Sequence, residues 1–150
     1  MRKALVGFTL VQLALVILQF YLATFGAFER PTPAVGAEGA AIGWHAMNGT
    51  IAIPAVSLLT TIMAAIARAP GRIILLSAVP LLAAVVQIMV LFPLAGMAGA
   101  TETKTNTGGL VVLGFHAIVG VAMLWAAVLA FRGAQAHDKA APGAKTTEAV

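Results

Sequence analysis

Residues 72–97 read Arg72-Ile-Ile-Leu-Leu-Ser-Ala-Val-Pro-Leu-Leu-Ala-Ala-Val-Val-Gln-Ile-Met-Val-Leu-Phe-Pro-Leu-Ala-Gly-Met97, with no charged side chain after the opening arginine. The hydrocarbon core of a bilayer is about 30 Å thick and takes about 20 apolar residues of helix. This stretch meets that requirement, and three others do as well. Working outward from it, the runs lie near 4–26, 42–67, 72–97 and 109–131. All Lys, Arg, Asp and Glu residues fall outside these runs or at their ends. With 150 residues, 61% of them hydrophobic and 9% charged, the chain carries more apolar surface than a soluble domain of its size can bury. The expected fold class is all-α: a four-helix transmembrane bundle over residues 1–132 in one domain.

Basic residues set the expected orientation. Arg2, Lys3, Arg68, Arg72, Arg132, Lys139 and Lys145 fall on one side of this topology, and Arg30 and Lys104 on the other. The positive-inside rule then puts both termini in the cytoplasm of a bacterial inner membrane, with the protein multi-pass. The first run is too long for the core of a signal peptide and no small-residue cleavage site closes it, so it is read as an uncleaved span. Residues 133–150 lack apolar periodicity and are expected to form a disordered cytoplasmic tail. The net charge of +4 reflects membrane anchoring and not nucleic-acid binding, because no basic patch is interleaved with aromatics. The absence of cysteine excludes disulfides, iron–sulfur clusters, thiolate metal sites and covalent haem attachment.

Two short passages stand out against this apolar background. Gly43-Trp44-His45-Ala46-Met47-Asn48-Gly49 and Gly114-Phe115-His116-Ala117-Ile118-Val119-Gly120 share the pattern Gly, aromatic, His, Ala, two variable positions, Gly. Ionisable residues inside membrane spans are costly and point to function. Measured from Glu38 and from Asn106 and Thr107 on the outer side, the two histidines differ in depth by roughly 3–5 Å at the helical rise, and by about 10 Å measured from Arg68 and Arg132; both are placed in the outer leaflet. The segments Leu13–Leu22 and Leu81–Val90 also align, matching Gln19 with Gln87. The chain therefore reads as two tandem parallel hairpin repeats. Such repeats are related by an axis along the membrane normal, with sites near the repeat interface, which brings His45 and His116 to face each other.

A bis-histidine haem b is the leading expectation, with His45 and His116 as metal ligands. Bundles build cofactor sites from facing helices, and imidazole is a common axial ligand of haem iron. Gly49 and Gly120 stand one turn beyond each histidine, where a missing side chain leaves room for a flat macrocycle. Trp44 and Phe115, with Phe20, Tyr21, Phe25, Phe28 and Phe92, are candidate walls. Gln19 and Gln87 are candidate donors behind the imidazoles or interhelical glue, and Arg30 or Lys104 are candidate partners for propionates. Copper, held by the histidines with Met89, Met97 or Met123, and a quinone, held by His and Gln, are weighed lower. The bland reading is that the histidines hydrogen-bond neighbouring helices and the glycines serve close packing. Asn48 is expected to hydrogen-bond across helices, and His137 to be solvated in the tail. Pro54, Pro80 and Pro93 are expected to kink their helices.

With these motifs in view, the chain resembles small four-helix membrane proteins of bacteria. That likeness covers residues 1–132, and the arrangement is also similar to half of a haem A synthase, and more loosely to cytochrome b561-type bundles. That resemblance implies haem ligand roles for His45 and His116. The Glu-x-x-His-Arg signature of haem A synthases is absent at Gly43-Trp44-His45-Ala46, so the resemblance extends to holding haem and not to synthase activity. Two intramembrane histidines, where cytochrome b561 proteins use four, allow one haem. There is no carboxylate pair, nucleophile–base arrangement or phosphate-binding loop, which disfavours a hydrolase or an ATPase. The expectation is a b-type cytochrome-like protein for electron transfer or redox sensing, an electron-transfer or accessory protein more than a catalyst. Its partners would be the lipid bilayer, a quinone pool or a larger membrane complex, or further copies of itself. The rival reading is a scaffold or accessory subunit of a respiratory complex with no cofactor of its own.

Overall fold

A computed structural model describes residues 1–34, 36–101 and 103–140. It contains four long helices: α1 (Arg2–Ala27), α2 (Ile42–Ile66), α3 (Gly71–Met97) and α4 (Thr107–Lys139), each long and apolar enough to cross a membrane. Among the described residues there is no strand. Each helix packs on its neighbours in sequence, and α4 closes the ring against α1. The connections are local: Gly26 at the end of α1 abuts Ile42 at the start of α2, and Gly109 of α4 abuts Ala100 just after α3. Consecutive helices therefore run antiparallel, and α2 and α4 face each other diagonally across the bundle.

The interior is built from small residues. At one end Leu5, Ala64, Ala67, Ala69, Ile73 and Ala134 pack together, and nearer the middle Val16, Ile53, Ala83, Met123 and Ala127 do so. Large side chains such as Trp125, Ile51 and Leu75 point outward, each more than 60% exposed. This inversion follows from the solvent: lipid is as apolar as leucine, so helices associate through close packing of small residues and through hydrogen bonds. The buried hydrogen bonds sit on the same interior faces. Gln12 Nε2 donates to the Ser77 carbonyl at 2.8 Å, and Ser57 Oγ donates to that carbonyl at 2.7 Å. The Leu81 N–H, next to Pro80, donates to Ser57 Oγ at 3.1 Å. Thr60 and Thr61 bond back to carbonyls of their own helix.

Two of the prolines have a specific consequence. Residues Asn48–Ala52 of α2 and Gln87–Leu91 of α3 are π-helical turns, closed by bonds from Ile53 N to Asn48 O and from Phe92 N to Gln87 O. The next residues are Pro54 and Pro93. A proline ring clashes with the carbonyl four residues back and offers no N–H to it. Widening the preceding turn moves that carbonyl away, at the cost of one extra residue in the turn. The sequence implied kinks here; the structure inserts a register shift in each helix.

Residues 133–139, expected as part of a disordered tail, instead continue α4. Ala134 is fully buried against the Leu5 and Ile73 cluster. His137 is half-buried and not solvated: its Nε2 lies 3.2 Å from the Ala67 carbonyl, and Arg2 donates to the His137 carbonyl at 3.1 Å. A stretch without large apolar residues is thus ordered by docking, through an alanine small enough for close approach and two polar bonds across helix ends. The remainder of the expected tail, residues 141–150, lies outside the described residues.

Candidate functional site

The two histidines meet. His45, near the start of α2, and His116, near the start of α4, have ring centroids 5.9 Å apart at an interplanar angle of 61°. They line an apolar cavity of about 260 Å³, together with Gln19, Gly49, Gln87 and Gly120 and with Phe20, Thr50, Phe92 and Met123. All four helices contribute. The π-turns lie at the cavity wall, carrying Gly49 and Thr50 from α2 and Gln87 and Ile88 from α3. Such turns are frequent at functional sites because they re-aim side chains.

His45 is held firmly. Its Nδ1 lies 3.1 Å from the backbone carbonyl of Gln19. A carbonyl only accepts, so the proton sits on Nδ1 and the lone pair on Nε2. The Gln19 side-chain amide donates to that Nε2 at 3.2 Å and to the His45 carbonyl at 3.0 Å. Gln19 Oε1 in turn accepts from Asn48 Nδ2 at 2.8 Å, and Asn48 also donates to the Leu15 carbonyl at 3.0 Å. The chain Asn48–Gln19–His45 therefore ties α1 to α2 and fixes both the tautomer and the ring plane.

His116 is held differently. Phe92 stacks on its ring with centroids 5.5 Å apart and planes 29° off parallel. Its Nδ1 is buried and has no hydrogen-bond partner among the described residues. Gln87, the residue that aligns with Gln19, is buried and lines the same cavity, but no hydrogen bond joins it to His116 among the described residues. Buried polar groups are ordinarily paired, so an orphaned imidazole nitrogen calls for an explanation.

The expected site residues separate into those the fold brings together and those it does not. Gln19, His45, Gly49, Gln87, His116 and Gly120 converge on the cavity. Trp44 and Phe115 do not: they are 57% and 51% exposed. Each precedes its histidine by one residue, about 100° around the helix, and so faces outward when the histidine faces in. Arg30 does not reach the cavity either; it donates to the Ala27 and Glu29 carbonyls near the end of α1. Met89 and Met97 point away, 67% and 85% exposed, which leaves Met123 as the one methionine of the copper set at the cavity. Among the described residues no group of three or more His, Cys, Asp or Glu side chains gathers.

The two glycines differ in what they permit. A Cβ on Gly49 would lie 2.5 Å from Gln19 Nε2, so that glycine is what lets the Gln19 amide reach His45. A Cβ on Gly120 would meet the Phe20 ring at an ordinary 3.5 Å. Sequence reasoning gave both glycines one role. The close approach of Gln19 Nε2, which assigns Gly49 another, joins positions far apart in sequence and carries no local signal.

Fold and cavity together define a class: a four-helix, membrane-type bundle with an apolar pocket that two diagonal helices furnish with imidazoles. The chain belongs to the DUF6220 family, a family of unknown function, whose model matches residues 19–96. No curated protein and no solved structure matches the chain. Nothing in these comparisons links it to haem A synthases or to cytochrome b561 proteins. The matched stretch includes Gln19, His45, Gly49 and Gln87 and stops before His116.

Proposed function

We propose that this protein holds one haem b between His45 and His116, and that it serves electron transfer or redox sensing in a membrane. The observation that carries the reading is the facing pair of imidazoles, 5.9 Å between centroids, at the wall of an apolar cavity. A metal held by both rings would take nitrogen bonds of about 2.0–2.1 Å, and His45 and His116 are the residues that would supply them. The Gln19 carbonyl behind Nδ1 is the kind of partner that orients a ligating imidazole, and it keeps the lone pair on Nε2, which would ligate in place of the bond it now accepts from the Gln19 amide. His116 Nδ1, like Gln12 Oε1 and Ser77 Oγ elsewhere in the bundle, is buried without a partner among the described residues, and its ring lines the cavity. The cavity of about 260 Å³ is at the lower edge of ligand pockets, which run from about 300 to 1,000 Å³. It is also open on one side, so a ligand larger than its enclosed volume has room to extend.

When bound, haem supplies a one-electron couple. The chain's own residues would ligate through His45 and His116, stack Phe92 against one imidazole, and exclude water with Phe20, Ala84, Ile88 and Met123. Two protein ligands would leave no open metal position, which favours electron transfer over oxygen activation. The basic residues at the opposite end support an orientation with both termini cytoplasmic and the histidines toward the outer leaflet. The equivalence of Gln19 with Gln87 supports a parallel relation between the two hairpins.

A reduced-minus-oxidised visible spectrum of the full chain, purified after haem-replete expression, tests the reading. The expected result is a low-spin b-type spectrum that His45→Ala and His116→Ala each abolish and His137→Gln retains. A chain that purifies folded without a Soret band would sink it. One observation favours a second reading, an accessory subunit without a cofactor: the Asn48–Gln19–His45 network is complete without any ligand. Co-migration with a larger assembly on native gels, with no chromophore belonging to this chain, would support that reading instead.

A further inference from the structure

At the end of the bundle remote from the histidines, α3 and α4 leave a groove of about 260 Å³ lined by Arg72, Ile73, Leu76, Leu129, Arg132 and Gly133. We propose that this groove is a binding site for one acidic phospholipid, its phosphate between Arg72 and Arg132 and its acyl chains along Ile73, Leu76 and Leu129. The proposal stands independently of the haem reading.

Close approach of the helices shapes the groove. A Cβ on Gly133 would lie 3.1 Å from Ile73 Cγ1, so the two helices touch at that glycine and the notch opens beside it. Its chemistry is divided along the bundle axis. Arg72 is exposed at the start of α3 and Arg132 is exposed about two turns before the end of α4, and the rest of the lining is apolar. No acidic residue lines it. Arg2 and Arg30, by contrast, are engaged by backbone carbonyls. The arginines of the groove turn to no carbonyl or carboxylate among the described residues.

That division selects the occupant. Guanidinium groups match phosphate geometry and take it bidentately. Inorganic phosphate alone would satisfy the arginines and leave the apolar floor uncovered. A zwitterionic lipid brings its own cation beside the two arginines. An acidic phospholipid satisfies both halves, and basic pockets between membrane helices are recurrent sites for such headgroups.

The test is native mass spectrometry of the full chain released from bilayers of equal phosphatidylglycerol and phosphatidylcholine. Retained phosphatidylglycerol is expected to exceed phosphatidylcholine. Each basic group near an anionic lipid contributes a factor of about five, so Arg72→Gln with Arg132→Gln is expected to lower the preference roughly 25–30-fold. Lys139→Gln, an exposed charge at the same end, is expected to leave it unchanged. Millimolar inorganic phosphate is expected not to displace the lipid. Equal retention of both lipids by the unsubstituted chain overturns the proposal, whether or not the double variant folds. Equal effects of the double variant and Lys139→Gln, or displacement by phosphate alone, also overturn it.

Discussion

Gly49 and Gly120 occupy equivalent places in two copies of one motif, yet they face different neighbours. Gly49→Ala drives a Cβ into the Gln19 amide. Overpacking of a filled site costs about 1–3 kcal/mol, and here it also breaks the bond that orients His45. The expected outcome is a lower unfolding temperature, with a double-mutant cycle against Gln19→Ala showing strong coupling. Gly120→Ala meets only the Phe20 ring at contact distance, and alanine gains about 0.8–1 kcal/mol over glycine in a helix. Thermal unfolding should therefore leave that variant as stable as the parent, or more so, while haem retention falls if the macrocycle lies against α4. At this scale the motif pointed to residues that meet at one cavity. It did not show why, because the atom that needs Gly49 to be small belongs to a residue 30 positions earlier.

Among the elements, the last turns of α4 depart furthest from expectation. Nothing in Gly133-Ala-Gln-Ala-His-Asp-Lys139 has the apolar content that marks a span. Yet these residues are fastened by buried Ala134, by His137 on the Ala67 carbonyl and by Arg2 on the His137 carbonyl. A hydrogen bond contributes about 0.5–1.5 kcal/mol net, so ending the chain after Arg132 should cost about 2–3 kcal/mol, read as a drop in unfolding midpoint. Ending it after Ala140 removes none of these contacts and is expected to leave the midpoint unchanged. The π-turns are the other element-level surprise. Pro54 and Pro93 are plain in the sequence, but a proline is compatible with a kink, a break or a widened turn. Packing of the flanking segments decides which register survives.

For the molecule as a whole, four apolar helices in a closed antiparallel ring put the start of α1 and the end of α4 at one face, where Arg2 donates to the His137 carbonyl. The chain has no cysteine, so single cysteines report topology without background. Ala140→Cys and Thr103→Cys are expected to label from opposite sides of an intact membrane vesicle, with position 140 on the cytoplasmic side. Labelling of both from one side would refute the four-span arrangement. The histidine pair belongs to this scale too, since it exists only because α2 and α4 are diagonal partners across the ring.

Hydropathy is a sum over neighbours in sequence. The chain alone therefore determined the four spans and their alternation, its repeated motif singled out His45, His116, Gly49 and Gly120, and the alignment of Leu13–Leu22 with Leu81–Val90 singled out Gln19 and Gln87. Contacts between distant positions are not sums of that kind. The alignment of the two hairpins also anticipated that the imidazoles face each other; tertiary packing decided that Trp44, Phe115 and Arg30 turn away, that Gln19 locks His45 while Gln87 leaves His116 unpaired, and that α4 runs on to Lys139. Each of those outcomes depends on which helix faces lie within a few ångströms of one another, and close packing and buried hydrogen bonds settle that only after the spans have assembled.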